Sequence, residues 1–163
     1  MWSSRLAAVV CAGALSACGF HLRGDASFPF SSVYVNAPTA KPFAQEMTRA
    51  IGAGRGAAVV DEAGTAEVVL AIPSVVDDKD VLSLSSGGSV REYALAKRVQ
   101  FRLRDWTAID WMPAGEIVVR RSYTFNATQV LARDLQEQRL LREMQTDAVQ
   151  QIVRRLQSAR KPT

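Results

Sequence analysis

Cysteine is nearly absent from this chain. Cys11 and Cys18 are its two copies, both close to the N-terminus. A disulfide framework and a cysteine metal centre are therefore excluded from the body of the protein. Histidine is equally scarce: His21 stands alone. With so few nucleophiles and bases, no catalytic triad can be assembled, and the reading is of a non-enzyme without metal or cofactor. The glycine group Gly52 to Gly56 lacks the Lys-Ser/Thr ending and the preceding strand of a phosphate loop, so it reads as a helix stop. Aromatics rarely interleave with the arginines, which argues against a single-stranded nucleic-acid groove. No apolar run reaches the roughly 20 residues that span a bilayer. Neither sign of charge dominates: 20 Lys and Arg face 16 Asp and Glu, a net charge of +4.

What is present begins at the N-terminus. Arg5 precedes the small, apolar run Leu6 to Leu15, and Leu15-Ser16-Ala17-Cys18 follows. A charged start, a short apolar middle and small residues at a cut are the parts of a secretory signal. Leu15-Ser16-Ala17-Cys18 resembles the bacterial lipobox, which implies cleavage before Cys18 and acylation of its thiol. Residues 1–17 are thus expected to be a lipoprotein signal peptide, and 18–31 a lipidated cysteine and tether. Each buried methylene of an acyl chain contributes about 0.8 kcal/mol, so several chains anchor a protein stably.

Residues 32–160 read as one domain, a size that sustains a core. Ser32 to Asn36 alternates as a short strand. Thr39 to Ile51 reads as a helix capped by Thr39, with Pro42 in its first turn and Phe43, Met47, Ala50 and Ile51 on one face. Ala57 to Val60 is a short extended piece. Glu67 to Ile72 is an inner strand, Pro73 marks a bulge or an edge, and Val75 to Leu84 continues the strand. Ser85 to Ser89 is a turn. Val90 to Leu103 alternates most clearly: Tyr93, Leu95, Val99, Phe101 and Leu103 lie on one face, Arg98, Gln100, Arg102 and Arg104 on the other. Trp106 to Gly115 reads as a long hairpin loop and Glu116 to Phe125 as the next strand. A last helix runs from about Arg133 to Gln157 with the stripe Leu141, Met144, Ala148, Val149, Ile152, Val153 and Leu156. The class is α+β, with two helices packed on one face of a mostly antiparallel four-stranded sheet.

Cys18-Gly19-Phe20-His21-Leu22-Arg23-Gly24 resembles the start of mature members of the LptE lipopolysaccharide-assembly lipoprotein family. Glu92-Tyr93, Arg142-Glu143-Met144 and the order of elements fit the same family. The resemblance implies an outer-membrane lipoprotein, anchored on the periplasmic face, that plugs an LptD-like β-barrel in a 1:1 complex and binds lipopolysaccharide. Gly19, in place of Asp, accords with outer-membrane sorting. The chain departs from some members in ending soon after the last helix and in lacking an Arg in its Ser-Gly turn, where Arg91 is the nearest substitute. The alternative is a structural scaffold lipoprotein of another outer-membrane machine.

The candidate residues follow. Arg98, Arg102 and Arg120 form a row that either contacts lipid phosphates or is a solvated sheet face; each guanidinium offers a planar fork of donors to phosphate. With a plain hairpin, Glu116 falls opposite Arg104. Arg133, at the mouth of the last helix, lies where related proteins tend to carry Lys or Arg. Trp106, Ile109 and Trp111 either fold onto the core edge or meet a partner. Phe20, Phe28 and Phe30 stand near the tether, where they could touch partner or lipid. Replacing Cys18 by Ala is expected to leave uncut precursor that incorporates no labelled palmitate; normal labelling would refute the anchor.

Overall fold

The computed structural model describes residues 27–124 and 130–162, with the side chains of residues 130–133 outside that description. Cys18, Phe20, Phe125 and the side chain of Arg133 therefore lie outside the described residues.

The elements are β1 (Ser32–Asn36), α1 (Lys41–Gly52), β2 (Ala58–Val60), β3 (Val68–Leu84), β4 (Val90–Asp105), β5 (Asp110–Thr124) and α2 (Val130–Gln157). They build one sheet in the order β2-β1-β3-β4-β5. β1 runs parallel to both β2 and β3, and β3, β4 and β5 are antiparallel. The sheet thus has five strands, not four. The extra one is the extended piece at Ala58–Val60, whose three residues are too few to show alternation. The expected α+β class stands, with both helices on one face.

α1 buries Phe43, Met47 and Ile51, and Pro42 sits in its first turn. Thr39 does not cap it. The N-cap is Ala40, and no side chain caps the helix. Two backbone bonds end it, from the N–H groups of Ala53 and Gly54 to the carbonyls of Arg49 and Ile51.

Pro73 does mark a bulge. The β3–β4 register slips by one residue between Ala71 and Ser74. Side chains alternate along a strand, so one extra residue exchanges the two faces. Val68, Leu70 and Ile72 are buried before the bulge; after it Val75, Asp77 and Lys79 take the helix-facing positions. Lys97 on β4 sits directly opposite Asp77, in phase with buried Leu95 and Val99. It is 3% exposed, and its ammonium lies 2.5 Å from an Asp77 carboxylate oxygen.

The expected long loop is a tight turn. β5 begins at Asp110, because bulges between Phe101 and Arg104 absorb the irregular stretch around Pro113 and Gly115. Gly115 lies opposite Phe101, where an added Cβ would come within 3.0 Å of the Phe101 ring and 3.2 Å of the Arg155 guanidinium. The bare glycine backbone is what leaves room for that ring beside β5.

The core lies between α1, α2 and the broad five-stranded end of the sheet. Its largest fully buried side chains include Phe43, Phe101, Met47, Leu70, Ile117, Met144 and Ile152. Phe28 and Phe30 stack with ring centroids 5.3 Å apart, and Phe30 meets Trp111 edge-on at 6.4 Å. These two phenylalanines are core rather than surface. Removing Asp77 leaves a buried ammonium, which is costly, whereas replacing both partners restores an apolar site. Asp77→Ala is expected to lower stability by about 1–2 kcal/mol, discounted because Asp77 is half-exposed, while Asp77→Ala with Lys97→Met regains most of it. Urea midpoints of the two variants decide this; an equal loss in both would make the pair irrelevant.

Candidate functional site

Three regions can carry function: the uncovered sheet face, the β3–β4 hairpin end, and the opposite end, where the chain enters at Ser27.

On the uncovered face, strand register places the arginines among acids. Arg98 lies 3.4 Å from Asp78, and Arg102 3.1 Å from Asp110. Arg104 faces Asp110 across the β4–β5 ladder, and Glu116 faces Gln100. The expectation that Glu116 opposes Arg104 is thus corrected, because the bulges shift the register. Arg120 lies opposite Ala96 and is exposed. The face therefore carries both signs of charge. Both ion pairs are half-exposed, and such pairs contribute at most about 1 kcal/mol, so an incoming phosphate can displace them.

At the hairpin end only β3, β4, β5 and α2 remain. Val81, Leu82 and Leu84 are more than half exposed, as is Leu135 near the start of α2. Arg91 is exposed on β4 just beyond the turn. Beneath them lies a polar cluster that the sequence did not disclose. Lys79 pairs with Glu137, Tyr123 donates its hydroxyl proton to Glu137 at 2.5 Å, and the Lys79 ammonium sits 4.4 Å above the Tyr93 ring. Tyr93 and Tyr123 stack at 5.6 Å. Burial alone pushes the Lys79 ammonium down, but its hydrogen bonds to Glu137 and Tyr123 outweigh that and raise it. Burial, and then Glu137, raise the Tyr123 phenol. Arg121 pairs with Asp147 on the same helix. No periodicity flags such a cluster, since its members come from four elements.

At the entry end, the tight turn Asp105 to Asp110 divides the predicted apolar trio. Trp111 is 5% exposed and belongs to the core, and its buried Nε1 has no hydrogen-bond partner of good geometry. Trp106 is 78% and Ile109 52% exposed. The Asp105 carboxylate holds the turn. One of its oxygens accepts from the Thr107 hydroxyl at 2.6 Å and from the Thr107 and Ile109 backbone N–H groups, each at 2.9 Å. Ala108 takes a left-handed φ of 66°.

Among the described residues no group of three His, Cys, Asp or Glu could hold a metal ion, and no helix is long and apolar enough to cross a membrane.

A family model described as LptE, lipopolysaccharide-assembly, matches residues 30–156. The LPS-assembly lipoprotein LptE of Pectobacterium atrosepticum is 28% identical over 160 residues, covering 93% of this chain and 80% of that protein. The uncharacterized lipoprotein B of Nitrosomonas europaea, solved in solution, superposes with a TM-score of 0.75 at 37% identity, over 86% of this chain and 91% of that one. The rare lipoprotein B of Shewanella oneidensis shares the fold at 23% identity with a TM-score of 0.66, over 78% of this chain and 95% of that one.

The Asp105 turn gives a pH test. Hydrogen bonds, the Thr107 hydroxyl first, hold this carboxyl below its ordinary value of 3.8. A depressed acid stabilises the fold above its unfolded value and loses that contribution as pH falls through its folded value. The melting-temperature deficit of Asp105→Ala is expected to be full at pH 5 to 7 and to shrink below about pH 3.8. A deficit that stays constant down to acid unfolding would show that the charge is immaterial.

Proposed function

The chain belongs to the LptE lipopolysaccharide-assembly family, and from that premise we propose that it is an outer-membrane lipoprotein which plugs an LptD-like barrel and binds lipopolysaccharide. Cys18 carries the anchor on the periplasmic side. The chain catalyses nothing; it positions a lipid and a partner. Two features support the reading. The lumen of a transmembrane β-barrel is polar, and the uncovered sheet face, with its interleaved Arg98, Asp78, Arg102 and Asp110, is a polar surface able to pair with such a wall. The hairpin end, in turn, combines exposed Val81, Leu82 and Leu84 with Arg91. Acyl chains and phosphates on one ligand call for that combination.

The single observation that carries the lipid part is this pairing of exposed apolar side chains with the exposed Arg91 guanidinium at one end. Arg120, exposed on β5 opposite Ala96, is a further cation on the uncovered face, and Arg133, the candidate from the sequence, belongs to the first turn of α2. Arg98 and Arg102 rank below these, because each must first leave a carboxylate.

Charge reversal tests the order. Arg91→Glu with Arg133→Glu is expected to weaken lipopolysaccharide binding by roughly tenfold at low salt, with the deficit shrinking at high salt as exposed charges are screened. Arg98→Glu with Arg102→Glu is expected to cost less. Binding to immobilised lipopolysaccharide by variants that keep the parent melting temperature is the measurement. Unchanged binding in both pairs would remove the arginines as a ligand site and leave a plug alone.

A further inference from the structure

The entry end has features that neither the plug nor the hairpin site uses. Trp106 is the most exposed large apolar side chain among the described residues, and Ile109 stands in the same bend, half exposed. The turn that carries them is held by three bonds to one Asp105 oxygen, so the indole is presented by a fixed bend rather than by a loose loop. Trp106 lines two clefts. One, of about 440 Å³, is lined by Arg104 with Tyr34 and Asn36. The other, of about 520 Å³, is lined by Lys161 with Ser31 and Glu67. The acids there are largely occupied within the chain. Glu67 accepts from the Ser31 N–H and hydroxyl, each at 2.8 Å, with Lys161 farther off at 3.8 Å. Asp105 is occupied by its own turn. The last turn of α2 adds exposed Arg154, and Arg160 follows it.

Topology puts this tip beside the chain entry. β4 ends and β5 begins where β1 and β3 start, and Arg160 donates its backbone N–H to the Trp111 carbonyl. Only the stretch from Cys18 to Ser27 separates the anchor position from the described domain. Nine residue steps extend at most about 30 Å. A tip at this end is therefore always within reach of the surface that holds the anchor, at high effective concentration.

We infer that the Asp105–Asp110 turn is a membrane-contact tip, at which Trp106 and Ile109 enter the headgroup region of a phospholipid surface while Arg104 and Lys161 face its phosphates. Indole rings favour that interface, being apolar in body and polar at the N–H, and cations beside them favour anionic headgroups. The occupant of Trp106 and Ile109 is then lipid, rather than the core edge or the partner between which the sequence left the choice open. The inference rests on acylation of Cys18 in so far as the anchor sets the distance. The contact fixes which end of the domain faces the bilayer, leaving the hairpin end pointing away.

The test uses the full chain, produced with labelled palmitate and mixed with vesicles of phosphatidylethanolamine and phosphatidylglycerol, with and without brominated acyl chains. The emission difference between the parent chain and Trp106→Phe isolates Trp106. Bromination is expected to quench that difference, and Trp106→Ser with Ile109→Ser should lose the quenching while keeping the parent melting temperature. Labelled chain with no quenching overturns the tip and leaves the anchor intact. Quenching without label overturns the anchor and leaves the tip intact. Neither signal overturns both. Shielding of Trp106 that appears only on adding the purified barrel overturns the lipid occupant in favour of a protein one.

Discussion

α2 has to lie along strands that outrun half of the sheet. β1, with β2 on its outer edge, pairs only with the first part of β3, up to Ala71, whereas β3, β4 and β5 continue as a three-stranded ribbon beyond the Pro73 bulge. At 1.5 Å per residue, the 28-residue helix is about 42 Å long, so it spans both the broad and the narrow part. Its C-terminal half meets the broad end through Ala148, Val149, Ile152 and Leu156, all buried. Its N-terminal half meets the ribbon through Glu137, which pairs with Lys79, and just past its middle Asp147 pairs with Arg121. The change from apolar to ionic contact follows from the bulge, which brings Asp77 and Lys79 onto the helix side. Exposed ion pairs stabilise far less than buried apolar area, so the hairpin end is the part of the domain held most weakly.

That gradient sorts the chemistry. The apolar end holds Phe28, Phe30 and Trp111 in a rigid cluster beside the chain entry and, on its rim, presents Trp106 on a fixed turn. The ribbon end exposes Val81, Leu82, Leu84 and Arg91, and can adjust to a large amphiphile. The proposed roles, lipid received at the ribbon end and a lipid tether at the other, call for this asymmetry.

Much of the fold was legible in the sequence, because alternation in Val90 to Leu103 and the stripe from Leu141 to Leu156 are strong periodic signals. Pro73 announced the bulge. Its consequence, the exchange of faces beyond it, depends on pairing with β4 and hides Lys97 as a buried cation within an otherwise apolar row. Register also decided the arginine row: Asp78 and Asp110 come beside Arg98 and Arg102 only once both bulges are counted. Trp106 and Trp111 look alike in sequence. β5 starts at Asp110, so Trp111 lies inside the strand on its core face while Trp106 is left in the turn before it. The cluster of Lys79, Tyr93, Tyr123 and Glu137 has no local signature at all.

The plug is tested most directly by recovering the tagged, lipidated chain from solubilised outer membranes and weighing what accompanies it. A barrel-sized outer-membrane protein at equal stoichiometry, with the β3–β4 hairpin shielded from protease only in its presence, is the expected result. Recovery of the chain alone, or with an assembly that lacks such a barrel, would contradict the plug and favour a scaffold of another machine.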